Sequence, residues 1–399
     1  MKTNKKIAFI SPRYLQSSAG GAEVACRLFA ENLAFFKGIT TEILTTCAED
    51  HFTWLNKHSE GSFKKNGVTV RRFKVNERKE THKFDQIAQK LYYKQKISFE
   101  EEKFFFDNNL NSQHLYDFIK EQKDNYAFFI FMPYLFGLTV NGAQICPKKT
   151  LLIPCLHNEP FAKLQMINKI FQISKGIICN APPERDLVLR LSKTDPEKAL
   201  FVGIGVDPPL KVAGKELLLQ HKITSPYLFY CGRREIGKNF NLLLEMFREY
   251  KKQNNNQLKL VTAGSGYVDL RPSEKDFIID LGYVPEDVKA MLYKNALLTC
   301  QPSTKESFSF VIMESWLQKR PVIGNVRSEV TDYWINKCKG GFSFKDFYEF
   351  EEILNYSLNN SEALIDMGKA GYEFTLSNFK WEIIIERFLK ALIHFGFVL

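Results

Sequence analysis

The chain has 399 residues, of which 45% are hydrophobic and 25% charged, the composition of an ordinary globular protein. This length exceeds the size at which a single hydrophobic core stops growing, so two domains are expected. The composition excludes low-complexity and disordered classes. The eight dispersed cysteines include no Cys-x-x-Cys pair, which argues against a disulfide framework or a zinc site and indicates reduced, buried thiols.

The N-terminus and the distribution of charge bear on localisation. MKTNKKIAFISPRY has only four apolar residues in its best run, too few for a signal peptide, and no window approaches the roughly 20 apolar residues of a membrane-spanning helix. We expect a cytoplasmic protein. The net charge is +10, and residues 64–96 hold eleven Lys or Arg against three Asp or Glu. This basic region predicts binding to an acidic ligand or surface, and the inner face of the cell membrane is one such surface.

Short β-rich runs alternate with longer amphipathic segments, the pattern of parallel sheets with helical crossovers. In the first half the predicted strands are 6–11, 41–46, 68–75, 127–132, 150–157 and 176–180, with another near 199–207. In the second half they are 227–232, 258–264, 277–284, 297–303 and 321–325. The predicted fold class is therefore α/β, with two Rossmann-like, doubly wound parallel-sheet domains facing a cleft.

The Pro- and Gly-containing segment GVDPPLKVAGK predicts a linker near 205–225. The expected domains are 1–205 and 206–378. The last segment, 379–399, has apolar residues at helical spacing and no obvious place in the second sheet. It either crosses back onto the first domain or packs within its own.

Ligands of open α/β sheets bind beyond the carboxyl ends of the strands, so the strand-to-helix junctions are the candidate sites. Gly20 and Gly21 follow the first strand and precede a helix, a place where backbone amides can approach a phosphate. The segment is neither G-x-G-x-x-G nor a Walker A sequence, and a tight turn explains the glycines equally well. His157 follows the fifth strand, either as a core histidine or as a functional one.

Two junctions in the second half carry charged residues. Arg233 and Lys238 flank a short loop in CGRREIGKNF, and a fork donor with a point charge can hold a diphosphate. They could equally be solvated surface cations. In KESFSFVIMESW a helix is expected, with Ser307 or a neighbour as its cap. If the whole stretch is helical, Glu306 and Glu314 lie up to about 12 Å apart, which suits a ligand with hydroxyls at both ends and phosphates between.

These residues resemble a known family. The stretch E-S-F-S-F-V-I-M-E (306–314) resembles the E-G-F-G-x-x-x-x-E signature of family 4 retaining glycosyltransferases, which have the two-domain GT-B architecture. The Gly-Gly pair, His157, GRREIGK and the Gly282–Tyr283 dipeptide agree with that family in order and spacing. LTTCAEDHFTW, NGVTVRRFKV and LHNEP resemble a bacterial subgroup that builds surface polysaccharides such as lipopolysaccharide and capsule.

The resemblance implies a role for each matched residue. Arg233 and Lys238 would hold the diphosphate of a nucleotide sugar, Glu306 the hydroxyls of the transferred sugar, and His157 would contact that sugar near the reaction centre. On the nucleotide side, Glu314 would bind the ribose, and the backbone near Tyr283 would contact the base. The amides of Ser309 and Phe310 would contact the leaving group. The loop of Gly20 and Gly21 would approach the diphosphate.

The sequence also departs from the family pattern. Ser307 and Ser309 replace glycines, so either the loop differs in shape or the hydroxyls donate to phosphate. No Asp-x-Asp is present, so a metal site is not expected, and neither is any cofactor. The expected activity is metal-independent, hexosyltransferase-type transfer with retention, from a UDP- or GDP-linked donor to a glycan or lipid-linked saccharide.

Alternatives remain open at this point. A nucleotide-sugar epimerase or a phosphorylase of the same fold, or a non-catalytic glycan- or membrane-binding protein, would share the architecture. In the basic region, Phe84, Ile87 and Leu91 share one helical face, which either rests on anionic lipid or packs on the sheet. Nucleic acid is not an expected partner, because no recognised binding module accompanies the charge.

Overall fold

The computed structural model describes residues 6–15, 20–36, 38–50, 53–209 and 211–398. Some predictions therefore fall partly on residues that the structure does not describe. These residues are the N-terminal five, residues 16–19 of the first junction, His51 and Phe52, and Leu210 of the linker. The chain divides into two compact units. Unit 1 comprises Met1–Gly205 with Trp381–Leu399, and unit 2 is Val206–Lys380.

The described residues form fourteen strands and fifteen α-helices. The strands are β1 Lys6–Ile10, β2 Thr40–Thr46, β3 Gly61–Lys65, β4 Val68–Phe73, β5 Phe128–Phe131, β6 Thr150–Leu152, β7 Gly176–Cys179, β8 Ala199–Phe201, β9 Tyr227–Cys231, β10 Lys259–Ala263, β11 Ile278–Asp280, β12 Leu298–Gln301, β13 Val322–Asn325 and β14 Gly341–Phe344. The helices are α1 Gly21–Ala34, α2 Thr81–Tyr92, α3 Phe99–Asp107, α4 Gln113–Gln122, α5 Gly137–Gly142, α6 Gln165–Ile173, α7 Pro182–Ser192, α8 Glu216–Gln220, α9 Phe240–Gln253, α10 Glu286–Asn295, α11 Phe310–Leu317, α12 Glu329–Cys338, α13 Phe347–Asn359, α14 Ser361–Phe379 and α15 Trp381–His394.

Unit 1 contains an eight-stranded sheet in the order β3-β4-β2-β1-β5-β6-β7-β8. All neighbouring strands are parallel except β3 and β4. The central strands are buried on both faces, as their continuous apolar runs predict. Strand β3 was not predicted, because GSFKK is exposed at every position and its lysines are typical of a sheet edge.

Several predicted strands end earlier in the structure than the apolar runs that suggested them. The predicted strand 150–157 stops at Leu152, and 277–284 stops at Asp280. In the first case Pro154 follows closely and has no N–H to give to a ladder. The short strand β14 was not predicted.

Helix α15 belongs to unit 1, beginning two residues after the predicted boundary. The Phe388 ring lies 6.0 Å from that of Phe9 in β1 and 5.0 Å from that of Phe29 in α1. Trp381 meets Phe29 edge-on at 5.3 Å. The apolar face of this helix is therefore part of the aromatic core beside the first sheet.

Unit 2 contains a six-stranded, fully parallel sheet in the order β11-β10-β9-β12-β13-β14. The chain runs outward from β9 to β11 on one side and from β12 to β14 on the other. The strand order therefore reverses between β9 and β12, which makes this pair the topological switch point. The loops after Cys231 and Gln301 leave the sheet side by side at its carboxyl edge.

The helix of the basic region packs against the protein. In α2, Ile87 and Leu91 are buried in the core cluster of unit 1, and Phe84 packs against that cluster. Its apolar face is thus not the exposed surface that resting on lipid requires. No helix among the described residues is both long enough and apolar enough to span a bilayer.

Candidate functional site

The switch point of unit 2 brings together two predicted site residues. Lys238 ends a 3₁₀ turn after β9, and its Nζ lies 2.7 Å from Oε1 of Glu306, which follows β12. The side-chain amide of Asn239 donates to the Pro302 carbonyl at 3.2 Å, which is a second link between the same two loops. The Lys238 and Glu306 side chains are 30% and 10% exposed, so the pair lies at a surface with its carboxylate mostly covered.

The two arginines after β9 do different things. The Arg234 side chain is fully buried and contacts Asp280 and the Gly264 carbonyl, which ties the ends of β9, β10 and β11 together. Arg233 is 38% exposed and lies 3.2 Å from Glu235. Arg233 is thus the arginine accessible to a ligand, while Arg234 supports the scaffold.

The loop before α11 has an unusual backbone at Ser309. This residue is the N-cap, with φ 72° and ψ 82°, a left-handed conformation that costs a non-glycine residue energy. Its hydroxyl makes no hydrogen bond to the amides of the first helical turn. It instead accepts a hydrogen bond from the side-chain amide of Gln301 at 3.1 Å. The first-turn amides of α11 therefore have no side-chain cap, and an uncapped helix N-terminus attracts anions.

The helix begins later than the sequence suggested. It starts at Phe310, so Ser309, and not Ser307, is at the cap position and Glu306 lies in the preceding loop. The axial spacing of about 12 Å, which assumed a helix through both glutamates, therefore does not apply. Met313 and Trp316 are fully buried, which leaves Glu314 on the outer part of the helix.

Glu314 is held by two residues that the sequence did not single out. Lys289 Nζ lies 2.9 Å from one carboxylate oxygen, and the Tyr293 hydroxyl donates to the other at 3.0 Å. Lys289 also pairs with Glu286 at 2.7 Å. Burial alone lowers the pKa of Lys289, but Glu314, Cys231 and Glu286 outweigh it, and the pKa is raised. The spacing of residues 286, 289 and 293 places them on one face of a helix. Nothing in the sequence indicates that this face of α10 packs against α11.

A cavity of about 480 Å³ adjoins this group within unit 2. Glu314, Lys289 and Tyr293 line it together with Asp207 and Lys211 of the segment before β9. Its size falls in the range of small-molecule sites.

Tyr283 lies near the end of β11. Its side chain is 65% exposed, and it follows Gly282, which has a φ of 63°. The Gly264 amide donates to the Gly282 carbonyl at 2.7 Å, so this turn is fixed to the end of β10. Tyr283 thus stands beyond the same carboxyl edge of the sheet as Lys238 and Glu306.

In unit 1, the glycine pair lies at the start of α1. Gly20 is the N-cap and Gly21 the first helical residue. Glu23 accepts from the Gly20 amide at 2.9 Å and from Arg13 at 2.7 and 2.6 Å, and Arg13 is almost fully buried. This bidentate pair fixes the entry to the helix, and the glycine pattern of the sequence does not indicate it.

His157 lies beyond the end of β6, 27% exposed, with Nδ1 3.7 Å from Oε1 of Glu159. The Tyr134 hydroxyl donates to the same carboxylate oxygen at 2.5 Å. Buried Glu184 accepts from the amides of Leu156 and Asn180, so it connects the backbone beside His157 to the end of β7. Burial raises the pKa of Glu184 to about 8, although these amides lower it.

The structure thus distributes the predicted site residues over the two units. Unit 1 holds His157, Gly20 and Gly21, and unit 2 holds the others: Arg233, Lys238, Tyr283, Glu306, Ser309, Phe310 and Glu314. Within the described ranges, no group of three or more His, Cys, Asp or Glu side chains is arranged to hold a metal ion.

Comparison with known proteins gives one family match. Residues 219–374, which lie within unit 2, match the family model described as "Glycosyl transferases group 1". The sequence matches none of the curated proteins with which it was compared.

Solved structures resemble the whole chain. Anabaena HepE in complex with UDP and glucose superposes with a TM-score of 0.69 at 14% identity, over 98% of this chain and 99% of that one. Sucrose-phosphate synthase from Thermosynechococcus elongatus gives 0.70 at 16% over the same shares. The lipopolysaccharide outer core galactosyltransferase WaaB gives 0.63 at 13%, over 97% and 99%. These likenesses establish the fold, two parallel-sheet α/β domains of the GT-B type.

Proposed function

We propose that this chain is a retaining glycosyltransferase that takes a sugar from a nucleoside-diphosphate donor and transfers it to a glycan or lipid-linked saccharide. The observation that carries the proposal is the Lys238–Glu306 pair at the switch point of unit 2, beside the uncapped start of α11. It places a cation, a carboxylate and free backbone amides where open α/β sheets bind their ligands. The family-model match covers this same unit.

The charges of unit 2 fit a diphosphate that leaves with an electron pair. When the glycosidic C1–O bond of the donor breaks, the electrons remain on a phosphate oxygen. Lys238, Arg233 and the amides at the start of α11 would stabilise that developing charge. The acceptor oxygen forms the new bond to C1, and its proton passes to the departing phosphate oxygen.

At the two ends of the donor, carboxylates would hold the hydroxyl groups. In this proposal Glu314 accepts from the ribose and Glu306 from the transferred sugar, while the backbone near Tyr283 meets the base. His157 and the loop of Gly20 and Gly21 keep the roles that the resemblance gives them. Retention follows from the resemblance as well, with the acceptor attacking from the face of the leaving group.

A UDP-linked donor is the first choice. The structurally similar HepE was solved with UDP and glucose and also with UDP-glucose. The likeness to the lipopolysaccharide outer core galactosyltransferase WaaB supports a bacterial surface polysaccharide as the product. In this proposal the acceptor is presented at the inner face of the cell membrane. GDP-linked donors are the second choice.

A transfer assay tests the proposal. Radiolabelled UDP-glucose or GDP-mannose is incubated with the protein and detergent-solubilised lipid-linked saccharides, and product is separated from donor. Labelled product is expected with the wild type and not with Glu306→Gln. Folded wild type that binds nucleotide yet labels no acceptor, or a Glu306→Gln variant as active as the wild type, would contradict the proposal.

A further inference from the structure

None of the residues proposed for the donor site belongs to the basic region 64–96. Some of its cations have carboxylate partners: Arg71 pairs with Glu42 at 3.2 Å and Lys90 with Glu101 at 2.5 Å. Two lysines at its end, Lys94 and Lys96, have exposed side chains, and no acidic side chain among the described residues lies within ion-pair distance of either. This unpaired charge remains after the fold has formed.

These two lysines line a cavity of about 620 Å³ within unit 1, here called the lysine cavity. A third lysine, Lys163, reaches it from the turn before α6 and likewise has no acidic partner in the described part of the chain. The volume suits a monosaccharide-sized ligand, because small-molecule sites span about 300–1,000 Å³.

The two carboxylates that also line the lysine cavity are engaged elsewhere. Glu102 is buried and accepts from the Met166 amide at the start of α6. Glu159 accepts from the Tyr134 hydroxyl at 2.5 Å and lies 3.7 Å from His157. Both carboxylates are buried, whereas Lys94, Lys96 and Lys163 are exposed, so the three ammonium groups dominate the charge at the surface of the cavity.

The remaining polar lining consists of amides. Gln95 and Gln165 have exposed side chains, and Asn158 directly follows His157. Side-chain amides both donate and accept, so they suit sugar hydroxyl groups. Lysine ammonium groups bind phosphate as point charges.

We propose that the lysine cavity binds the phosphate of a phosphorylated saccharide. The anion part of this inference rests on the three lysines alone. The saccharide part rests on the proposed function, because Asn158, Glu159 and Pro160 connect the cavity to His157 along the chain. The phosphate belongs either to a soluble sugar phosphate or to a lipid-linked saccharide diphosphate.

Calorimetric titration with glucose 1-phosphate tests the site, with UDP present in excess to fill the nucleotide site. The test variant is Lys94→Asn/Lys96→Ser/Lys163→Ser, with asparagine at 94 because Lys94 has a φ of 58° and asparagine tolerates that region. The matched control, Lys148→Ser/Lys169→Ser/Lys175→Ser, removes equal charge from exposed positions of unit 1.

We expect the test variant to bind glucose 1-phosphate at least tenfold more weakly than the wild type and the control to stay within twofold. Glucose should not bind, and inorganic phosphate should bind more weakly than glucose 1-phosphate. Equal weakening in both variants, or no binding to the wild type, would overturn the proposal. Tighter binding of a short prenyl diphosphate-linked saccharide than of glucose 1-phosphate would support the lipid-linked source, and the reverse the soluble one.

The same samples separate this inference from the proposed function. UDP alone is titrated into the wild type and both variants, and the three affinities should agree. If UDP does not bind, the donor proposal fails, and the glucose 1-phosphate titrations still decide the lysine cavity by themselves.

Discussion

Lys238 Nζ lies 2.7 Å from the Glu306 carboxylate, so opposite charges join the loops that follow the two strands of the switch point. The ammonium group has three N–H donors, and this contact uses one of them. The others are available to a phosphate. The ion pair thus fixes the position of Lys238 and leaves N–H donors of its ammonium group for a ligand.

Lys238→Ala tests this relationship. Transfer should fall by about 10²- to 10³-fold, the typical effect of removing one donor from a developing oxyanion. The free energy of unfolding should change by less than about 1 kcal/mol, because the lysine is partly solvated. Initial rates and urea denaturation measure the two effects. Lys252→Ala, at a 71% exposed position, is the control. A drop of many degrees in the unfolding midpoint would instead make Lys238 structural.

Ser309→Gly and Ser309→Ala separate backbone strain from hydrogen bonding. Both lose the bond from Gln301, but only glycine relieves the φ of 72°. The glycine variant should therefore be more stable than the alanine variant by about 1–2 kcal/mol. Urea denaturation of the two proteins gives the difference directly. Equal stabilities would mean that this loop relaxes when the hydroxyl is removed.

Lys289→Met should weaken UDP binding by about tenfold and lower the free energy of unfolding by about 1–3 kcal/mol, because Lys289 is 17% exposed, more buried than Lys238, and its loss leaves the Glu314 carboxylate without its cation. Titration calorimetry and denaturation provide the measurements. Lys294→Met, an exposed position on the same helix, serves as control. Unchanged UDP affinity would show that the lysine does not position Glu314.

The pH dependence of that destabilisation follows from the raised pKa of Lys289. A cation with a raised folded-state pKa contributes its full stability below the unfolded value of about 10.4 and loses it as the pH rises through the folded value. The stability gap between Lys289→Met and the wild type should therefore stay constant from pH 6 to 9 and shrink only above about pH 10. A gap that closes near pH 7 would contradict this assignment.

Glu184→Gln should cost about 1–3 kcal/mol, because the glutamine nitrogen cannot accept from a backbone amide of Leu156 or Asn180. The raised pKa of about 8 means that the folded protein keeps this proton longer than the unfolded chain. The stability that this protonated group contributes to the wild type is fully present below about pH 4.3 and is lost as the pH rises to about 8, so the gap should be largest near pH 4. Denaturation at several pH values, with exposed Glu121→Gln as control, tests both points. A gap that widens toward pH 8 would contradict them.

The sequence predicted those parts of the fold that local patterns determine. Continuous apolar runs identified central strands such as β1 and β5, because strands buried on both faces need them. The exposed strand β3 has no such run, and it exists because it pairs with β4 at the sheet edge.

The site divides in the same way. Lys238 and Glu306 were selected because each follows a strand at its carboxyl end, a local signal. Lys289 and Tyr293 were missed because their contact with Glu314 depends on how α10 packs against α11, which no spacing within either helix encodes. The start of α11 was placed too early, since the left-handed Ser309 was not evident from the chemistry of serine.

The measurement that tests the donor site most directly is thermal unfolding of the purified protein with UDP, GDP, ADP, CMP and dTDP, each with and without Mg²⁺. A ligand at 100 times its dissociation constant adds about 2.7 kcal/mol to the stability, an easily detected shift. We predict that one diphosphate, UDP first, raises the midpoint without Mg²⁺ and fails to do so in Lys238→Ala. If none of the five nucleotides raises the unfolding midpoint of folded wild-type protein, the donor-site proposal is contradicted and a non-catalytic protein of the same fold is favoured.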